Sequence, residues 1–473
     1  VLLPSPNWVT DDYGTVGGGK ANQAGDDAGT TGDAPHSTVG GGLGNIASGA
    51  TGGNGGAATV AGGAFNRAYG GGSFIGGGVQ NTALGDESSI GGGLLNFAIG
   101  EESTVSGGEH NQAMVQYASI GGGYNNEASG TAATIGGGEY ISVTGRAATV
   151  AGGSHITATR DYATVGGGGY NTASGIGSVV AGGGGEDPIL ARTLPNTASG
   201  MLSVVGGGGL NTASEGYATV SGGLENRANA WGATIGGGEQ ITVTNSWGTV
   251  AGGRGNTATG EYASVGGGHI NTAGGDQATV GGGWGNIAEG DNATVSGGYD
   301  NEASGDHGAV GGGYNNEAKG DFSTVVGGHS AEASHFGQVA HASGSFSDPG
   351  DAQGSFYVLR GTTYNDTPTE LFLDGSSQRL TVVDRTMTFD ILVVARTSYP
   401  WSAGFSAQGV VEGWGADSVG LVGPPVITTL EDQIGGVDFY LTAEQGSLVL
   451  NVVGLSDRTI RWVATVRTAE VAW

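Results

Sequence analysis

Ala118-Ser119-Ile120-Gly121-Gly122-Gly123-Tyr124-Asn125-Asn126-Glu127-Ala128-Ser129-Gly130-Thr131-Ala132 is one copy of a phrase that runs through most of this chain. With Ile120 as position 0, the equivalent residue falls at Ile75, Ile90, Val105, Ile135, Val150, Val165 and Val180, and again from Val205 to Val325, at a constant spacing of 15. Three looser copies precede these, centred on Val16, Val39 and Val60. A fixed short period predicts a solenoid, because one such unit buries its apolar face only against the next.

Positions +2 and +3 are Gly in all twenty copies, and −1 is Thr or Ser in sixteen. Position +6 is Asn in sixteen, among them Asn66, Asn126 and Asn211, and +8 is Ala in eighteen, among them Ala68, Ala128 and Ala213. These columns predict two short strands per coil, one at Thr-Val and one at Asn-x-Ala. The Gly pair reverses the chain between them, since only Gly takes positive φ without steric cost. Strand alternation puts positions −2 and 0 on one face and the Thr at −1 on the other. Position +7 is variable and often polar (Gln112, Glu127, Arg227, Glu302), so +6 and +8 face inward. The paired replacements Ile141 with Val143 and Ile241 with Val243 support that direction. An inward Asn can stack on the Asn of the adjacent coil and exchange amide hydrogen bonds. The other reading of this column is a turn-forming Asn.

Each coil adds about 4.8 Å, so twenty span on the order of 95 Å. The predicted interior is thin against the entropy of ordering fifteen residues. Lateral association through the face that carries the −1 Thr and the small +1 residue would add burial, and a parallel homotrimer is expected.

Residues such as Ala118-Ser119-Ile120-Gly121 and Asn126-Glu127-Ala128-Ser129-Gly130 resemble the head repeats of trimeric autotransporter adhesins, and similar arrays occur in bacteriophage tail fibres. The likeness covers about residues 13–340 and implies a left-handed parallel β-roll trimer. It departs in period, because the adhesin repeat is commonly about one residue shorter and here an extra Gly follows the Val.

Three insertions break the period: around Gly25–His36 and Ser48–Gly56 in the turn after the second strand, and at 186–195 in the other turn. An insertion in a solenoid projects sideways and leaves the stack intact. The third carries Ile189, Leu190 and Leu194, and is expected to pack on a neighbouring chain or groove, or to contact a receptor. Val1–Val9, with Leu2, Leu3, Pro4, Pro6 and Trp8, reads as a plug over the first coil, and the pattern decays through His329, His335 and His341. Open sheet edges need such covers.

Periodicity stops near Gly344. Strand-like alternation then marks Ser355–Arg360, Thr369–Leu373, Arg379–Val383, Met387–Arg396, Val437–Thr442, Ser447–Val453 and Thr459–Thr468, which reads as an antiparallel β-sandwich. The segments around Gly354-Ser355-Phe356-Tyr357-Val358-Leu359-Arg360 and Thr459-Ile460-Arg461-Trp462 resemble C-terminal modules of phage and prophage tail proteins. The fold expected is therefore all-β: a cap at 1–12, a glycine-rich roll over 13–344 and a β-sandwich over 345–473.

The chain has 104 Gly but no strict every-third-residue Gly and only 10 Pro, which excludes collagen. Net charge is −28, with 8 Lys+Arg against 28 Asp+Glu in residues 1–344 and 7 against 15 thereafter, which argues against nucleic acid and anionic membranes as partners. No apolar run is long enough for a membrane helix. With no Cys there are no disulfides and no thiolate chemistry.

Gly166-Gly167-Gly168-Gly169 is followed by no Gly-Lys-Ser/Thr, so it reads as a structural turn rather than a phosphate loop. The eight His lack metal-ligand spacing. No carboxylate pair stands out among many surface acids, so no catalytic residue, metal or cofactor is assigned, and the chain is expected not to be an enzyme. The Thr column could suggest an ice-binding face, but it is single and interrupted by Phe74, Val179, Val204 and Ala309. Tyr399, Trp401 and Trp414 lie in or beside expected loops and are the candidate receptor contacts, since aromatic rings stack on sugars. Burial in the sandwich core or a trimer interface is the competing reading.

The function expected is a structural, receptor-binding fibre of a phage tail, partnered by other tail or baseplate proteins and by host-surface polysaccharide or protein. A bacterial cell-surface adhesin is the alternative, though neither heptads nor an anchor is visible. A polysaccharide depolymerase tailspike is the third reading.

Overall fold

The computed structural model describes residues 6–27, 34–51, 56–189 and 191–473, and the chain forms two compact units, Val1–Thr242 and Val243–Trp473. Among the described residues there is no helix. The fold is a parallel β-solenoid followed by antiparallel sheets.

In the first unit Ser119–Ile120 pairs in parallel with Thr104–Val105 on one side and Thr134–Ile135 on the other. Glu127–Ala128 pairs likewise with Gln112–Ala113 and Ser142–Val143. A third contact column runs between these strands, where Tyr124 bridges Glu109 and Glu139. Most coils thus have two two-residue strands and one single-residue bridge, a column the two-strand reading did not include. The second unit repeats the scheme, for example at Thr279–Val280 against Ser264–Val265 and Thr294–Val295.

The side chains of Ile75, Ile90, Val105, Ile120, Ile135, Val150 and Val165 are buried, together with Ala68, Ala128 and Ala213. Asn66, Asn126 and Asn211 are buried too. The Asn126 backbone N–H donates to Oδ1 of Asn111 at 3.1 Å, and its Nδ2 donates to that oxygen and to the carbonyls of Gly122 and Gly138 at 2.8 to 3.0 Å. Every amide atom is used, which removes the cost of burying it. Ile141 keeps the register, donating its N–H to Oδ1 of Asn126.

The reversals are not confined to glycine. Tyr117, Asn125, Ala132 and Tyr140 all have φ between 53° and 62°. Most backbone N–H groups of a coil point to the following coil, as Ser119 does to Ala133. At these positions the N–H turns back instead: Asn125 donates to Glu109 and Tyr140 to Tyr124, at 2.9 to 3.0 Å. A left-handed residue costs roughly 1–2 kcal/mol, and the added inter-coil hydrogen bond offsets it. Position +3 does require Gly: Gly123 has φ +97°, and a Cβ there would overlap the carbonyl oxygen of Gly138.

The third insertion forms a hairpin, Glu186–Asp187 antiparallel to Arg192–Thr193, with Ile189 90% exposed. The stack closes around it, since Asn196 donates its N–H to Asn171 and Asn211 donates to Asn196. Parts of the first two insertions, and Leu2, Leu3, Pro4 and Leu190, lie outside the described residues. Trp8–Val9 pairs in parallel with Gln23–Ala24, and Asn7 accepts a hydrogen bond from Asn22. These residues therefore extend the ladder rather than cover it. At the other end the coils continue past the apparent decay of the pattern, with Val339–Ser343 parallel to Thr324–His329.

Beyond residue 344 two antiparallel layers enclose a core that includes Tyr357, Leu359, Ile391, Phe405, Leu450 and Trp462. In the larger layer Ile460–Ala472 lies between Ala352–Thr363 and Arg385–Thr397, and the latter pairs on with Ser402–Trp414. In the smaller layer Ser447–Val453 pairs with Thr369–Leu371, Leu380–Thr381 and Asp438–Glu444. Three strands were not anticipated: Ser402–Trp414, Ser418–Leu421 and Val426–Asp432. The first contains Gly404, Gly409 and Gly413, which interrupt the apolar alternation that marks the other strands. Gly409 makes room for a ring, since a Cβ there would meet Phe389.

Candidate functional site

The segment joining Arg385–Thr397 to Ser402–Trp414 is a tight loop held by its own backbone. Trp401 N–H donates to the Tyr399 carbonyl at 2.8 Å, and the Thr397 hydroxyl donates to the same oxygen at 3.0 Å. This fixes Tyr399 and Trp401 on the end of the sandwich, with ring centroids 6.1 Å apart and planes tilted by 33°. A second turn, ahead of Ile460–Ala472, brings in Asp457 and Arg458, and the Arg458 guanidinium lies 4.9 Å over the Trp401 ring. Together they line an open pocket of about 540 Å³. Tyr399 is 70% and Trp401 43% exposed, so neither ring fills the core. That role belongs to Trp462, whose Nε1 donates to the Thr363 hydroxyl at 3.0 Å.

Trp414 does not join them. It closes the strand Ser402–Trp414 that Trp401 precedes, so thirteen residues of extended chain, about 40 Å, separate the two rings. Trp414, 57% exposed, faces a different pocket with Asp384, Glu412 and Trp473. The three aromatics grouped in the sequence thus occupy opposite ends of the sandwich.

A buried polar cluster sits where the last coil meets the sandwich inside the second unit. The Glu470 side chain is fully buried, and accepts from Arg385 at 2.8 Å, Tyr357 at 3.0 Å and Thr468 at 2.5 Å. Burial pushes the Glu470 carboxyl up, but hydrogen bonds from Thr468 and Ser355 and the Arg385 charge outweigh it and hold it below its ordinary value. Burial pushes the His335 imidazole down, against a hydrogen bond with Gln338. The same burial, with Glu470 beside it, drives the Tyr357 phenol well up. These partners satisfy each other and leave no open position for a substrate.

Two further features follow from the coils and were not read from the sequence. Aromatic rings form ladders, His110-Tyr124-Tyr140-His155-Tyr170 in the first unit and His269-Trp284-Tyr299-Tyr314-His329 in the second, with neighbouring centroids 4.4 to 6.2 Å apart. Their recurrence at about 15 residues was the available signal. Many of the rings cover each other's faces, so they are poorer stacking platforms than Tyr399 and Trp401. Acids also align: Asp276, Asp291, Asp306 and Asp321 each accept, through Oδ1, the N–H of the residue fifteen before, at 2.8 to 3.2 Å. No group of three or more His, Asp or Glu among the described residues is arranged to hold a metal.

No family model matches the chain, and no curated protein matches it. Among solved structures it is similar to the tailspike protein gp49 from Acinetobacter baumannii bacteriophage Fri1, described as a capsular polysaccharide depolymerase, at 10% identity and a TM-score of 0.22, over 92% of this chain and 79% of that one. It is also similar to the tailspike protein of Acinetobacter phage vB_ApiP_P1, at 7% identity and a TM-score of 0.18, over 85% of this chain and 80% of that one. At these values neither likeness carries a residue or an activity over to this chain.

The expectation of no enzymatic activity is nevertheless corrected. A structure aligned along most of this chain is described as a depolymerase, and the non-enzymatic reading is withdrawn. Its physical basis was weak as well. The coils make neighbours of acids fifteen residues apart in sequence, such as Asp291 and Asp306.

Proposed function

We propose that this chain is a receptor-binding fibre or spike component of a bacteriophage tail, in which the coils serve as a spacer and the C-terminal β-sandwich binds host-surface glycan. The observation that carries this reading is the open pocket with Tyr399 and Trp401 held rigidly at its edge and Arg458 stacked on the indole. Aromatic faces beside hydrogen-bonding side chains suit a sugar ring, which has both apolar and hydroxyl-bearing surfaces. The repeat's resemblance to fibre and adhesin arrays supports the spacer role. A homotrimer docked on other tail or baseplate proteins completes the proposal.

The test is direct binding of purified protein to polysaccharide from candidate host cells. Trp401→Ala should abolish retention while leaving the melting profile intact, because that side chain is half in solvent. Retention unchanged in this variant would remove the pocket from the proposal. The same incubation reads cleavage, since new reducing ends or unsaturated sugars identify a depolymerase. A native mass three times the 46.2 kDa chain is expected, and a stable monomer would contradict the trimer.

A further inference from the structure

The pocket at Tyr399 and Trp401 adjoins a second one of about 500 Å³ that shares Thr397, Ser398 and Thr459 with it. Arg396 and Arg461 line this extension. The two are direct cross-strand partners on the exposed face of the larger layer. Among the described residues neither has an ion-pair partner, and neither does Arg458 at the pocket itself. One carboxylate, Asp457, lines the trough.

Like charges directly opposite each other on adjacent strands are destabilising. The same sheet shows the ordinary solution a few residues away, where Arg467 lies opposite Asp390. A chain with 43 Asp+Glu and only 15 Lys+Arg therefore gathers three arginines at one trough, two of them in a costly arrangement. A bound anion removes that cost. Guanidinium groups match carboxylates in a planar, two-bond geometry, and the trough combines them with an exposed aromatic pair.

We infer that this trough recognises an acidic polysaccharide through the carboxylate of a uronic acid residue, with Arg396 and Arg461 gripping the carboxylate and Tyr399 and Trp401 packing on a neighbouring sugar. The inference rests on the glycan-binding reading and deepens it. It predicts that binding weakens with added salt, because the contacts are exposed and ionic.

The experiment uses the full chain on an array of purified bacterial capsular polysaccharides. Each uronate-containing polymer is printed beside its carboxyl-reduced derivative, together with neutral and phosphate-bearing polymers. Binding should fall on uronate polymers, drop by roughly tenfold or more on carboxyl reduction, and drop similarly in the Arg396→Gln/Arg461→Gln double variant. The melting temperature of that variant should hold or rise, since a like-charge pair is removed, whereas a purely structural role would lower it. Equal binding to reduced and native polymers, or a preference for phosphate or neutral polymers, overturns the uronate inference and leaves glycan binding standing. No bound spot anywhere on the array overturns glycan binding itself, and the uronate inference with it.

Discussion

The coil around Asn126 and the sandwich around Glu470 solve the burial of polar groups in opposite ways. In the coil the buried group is a neutral amide, and its partners are copies of itself and backbone carbonyls one coil away. In the sandwich it is a charge, and its partners, Arg385, Tyr357 and Thr468, each occur once. Repetition makes the coil tolerant, because a defect is bounded by intact neighbours. The sandwich has no second copy of its cluster to fall back on. Buried ion pairs are poor sources of stability, but breaking one leaves an uncompensated charge.

The largest expected effect follows from that difference. Arg385→Met should destabilise the second unit by about 3–5 kcal/mol, as judged by denaturant unfolding. A loss below about 1 kcal/mol would place Glu470 in the neutral form and erase the contrast. In the coil, Asn126→Ala should cost about 1–3 kcal/mol through orphaned carbonyls and the lost volume. Asn126→Ile should cost less than Ala, because Ile already occupies the column at Ile141, Ile156 and Ile241. An Ile variant worse than Ala would show that the coil at Asn126 lacks the room for Ile that exists at Ile141 and Ile241.

Acid should act on the sandwich junction first. Glu470 is held below its ordinary value of 4.5, so the folded state binds fewer protons than the unfolded one, and stability present above that value is lost as pH falls through the folded pKa. His335 is likewise below its ordinary 6.5, so protonation of the unfolded chain alone makes stability decline from about pH 6.5 downward. The melting midpoint of the wild type should therefore drop relative to His335→Gln between pH 7 and 5. Parallel curves for the two proteins would dismiss the imidazole.

The smallest effect is at position −2 of the coils. The hydroxyls of Ser73, Ser88, Ser103, Ser203 and Ser323 are buried without a hydrogen-bond partner. Equivalent coils carry Ala118 and Ala133 there, also buried. Ser88→Ala should thus be neutral or stabilising by up to about 1 kcal/mol in thermal melts. A clear destabilisation would reveal a partner for the hydroxyl.

Legibility in the sequence divides along the same line. The coil's strands, register and inward columns repeat twenty times, so each column is stated again and again by Val, Asn and Ala. The left-handed positions were hidden because they are filled by residues as different as Tyr117, Asn125 and Ala132, and their reward is a backbone hydrogen bond between coils. In the sandwich, strand alternation was visible wherever Val, Leu and Ile dominate. It was invisible along Ser402–Trp414, where glycine makes room for Phe389. Tyr399 and Trp401 were identifiable as exposed aromatics. Their partners Arg458, Arg396 and Arg461 were not, because the pairing of Arg396 with Arg461 joins residues 65 positions apart through antiparallel register.

The hairpin at 186–193 bears on how such a molecule changes over generations. Asn171 hands the same acceptor to Asn196 that Asn196 hands to Asn211, although the first step spans 25 residues and the second 15. Unequal recombination can therefore add or delete whole fifteen-residue modules, and loop cassettes can be spliced between them, without any new packing problem to solve. Coil number and lateral decoration become quantities set by copy number, free to drift independently of the C-terminal sandwich.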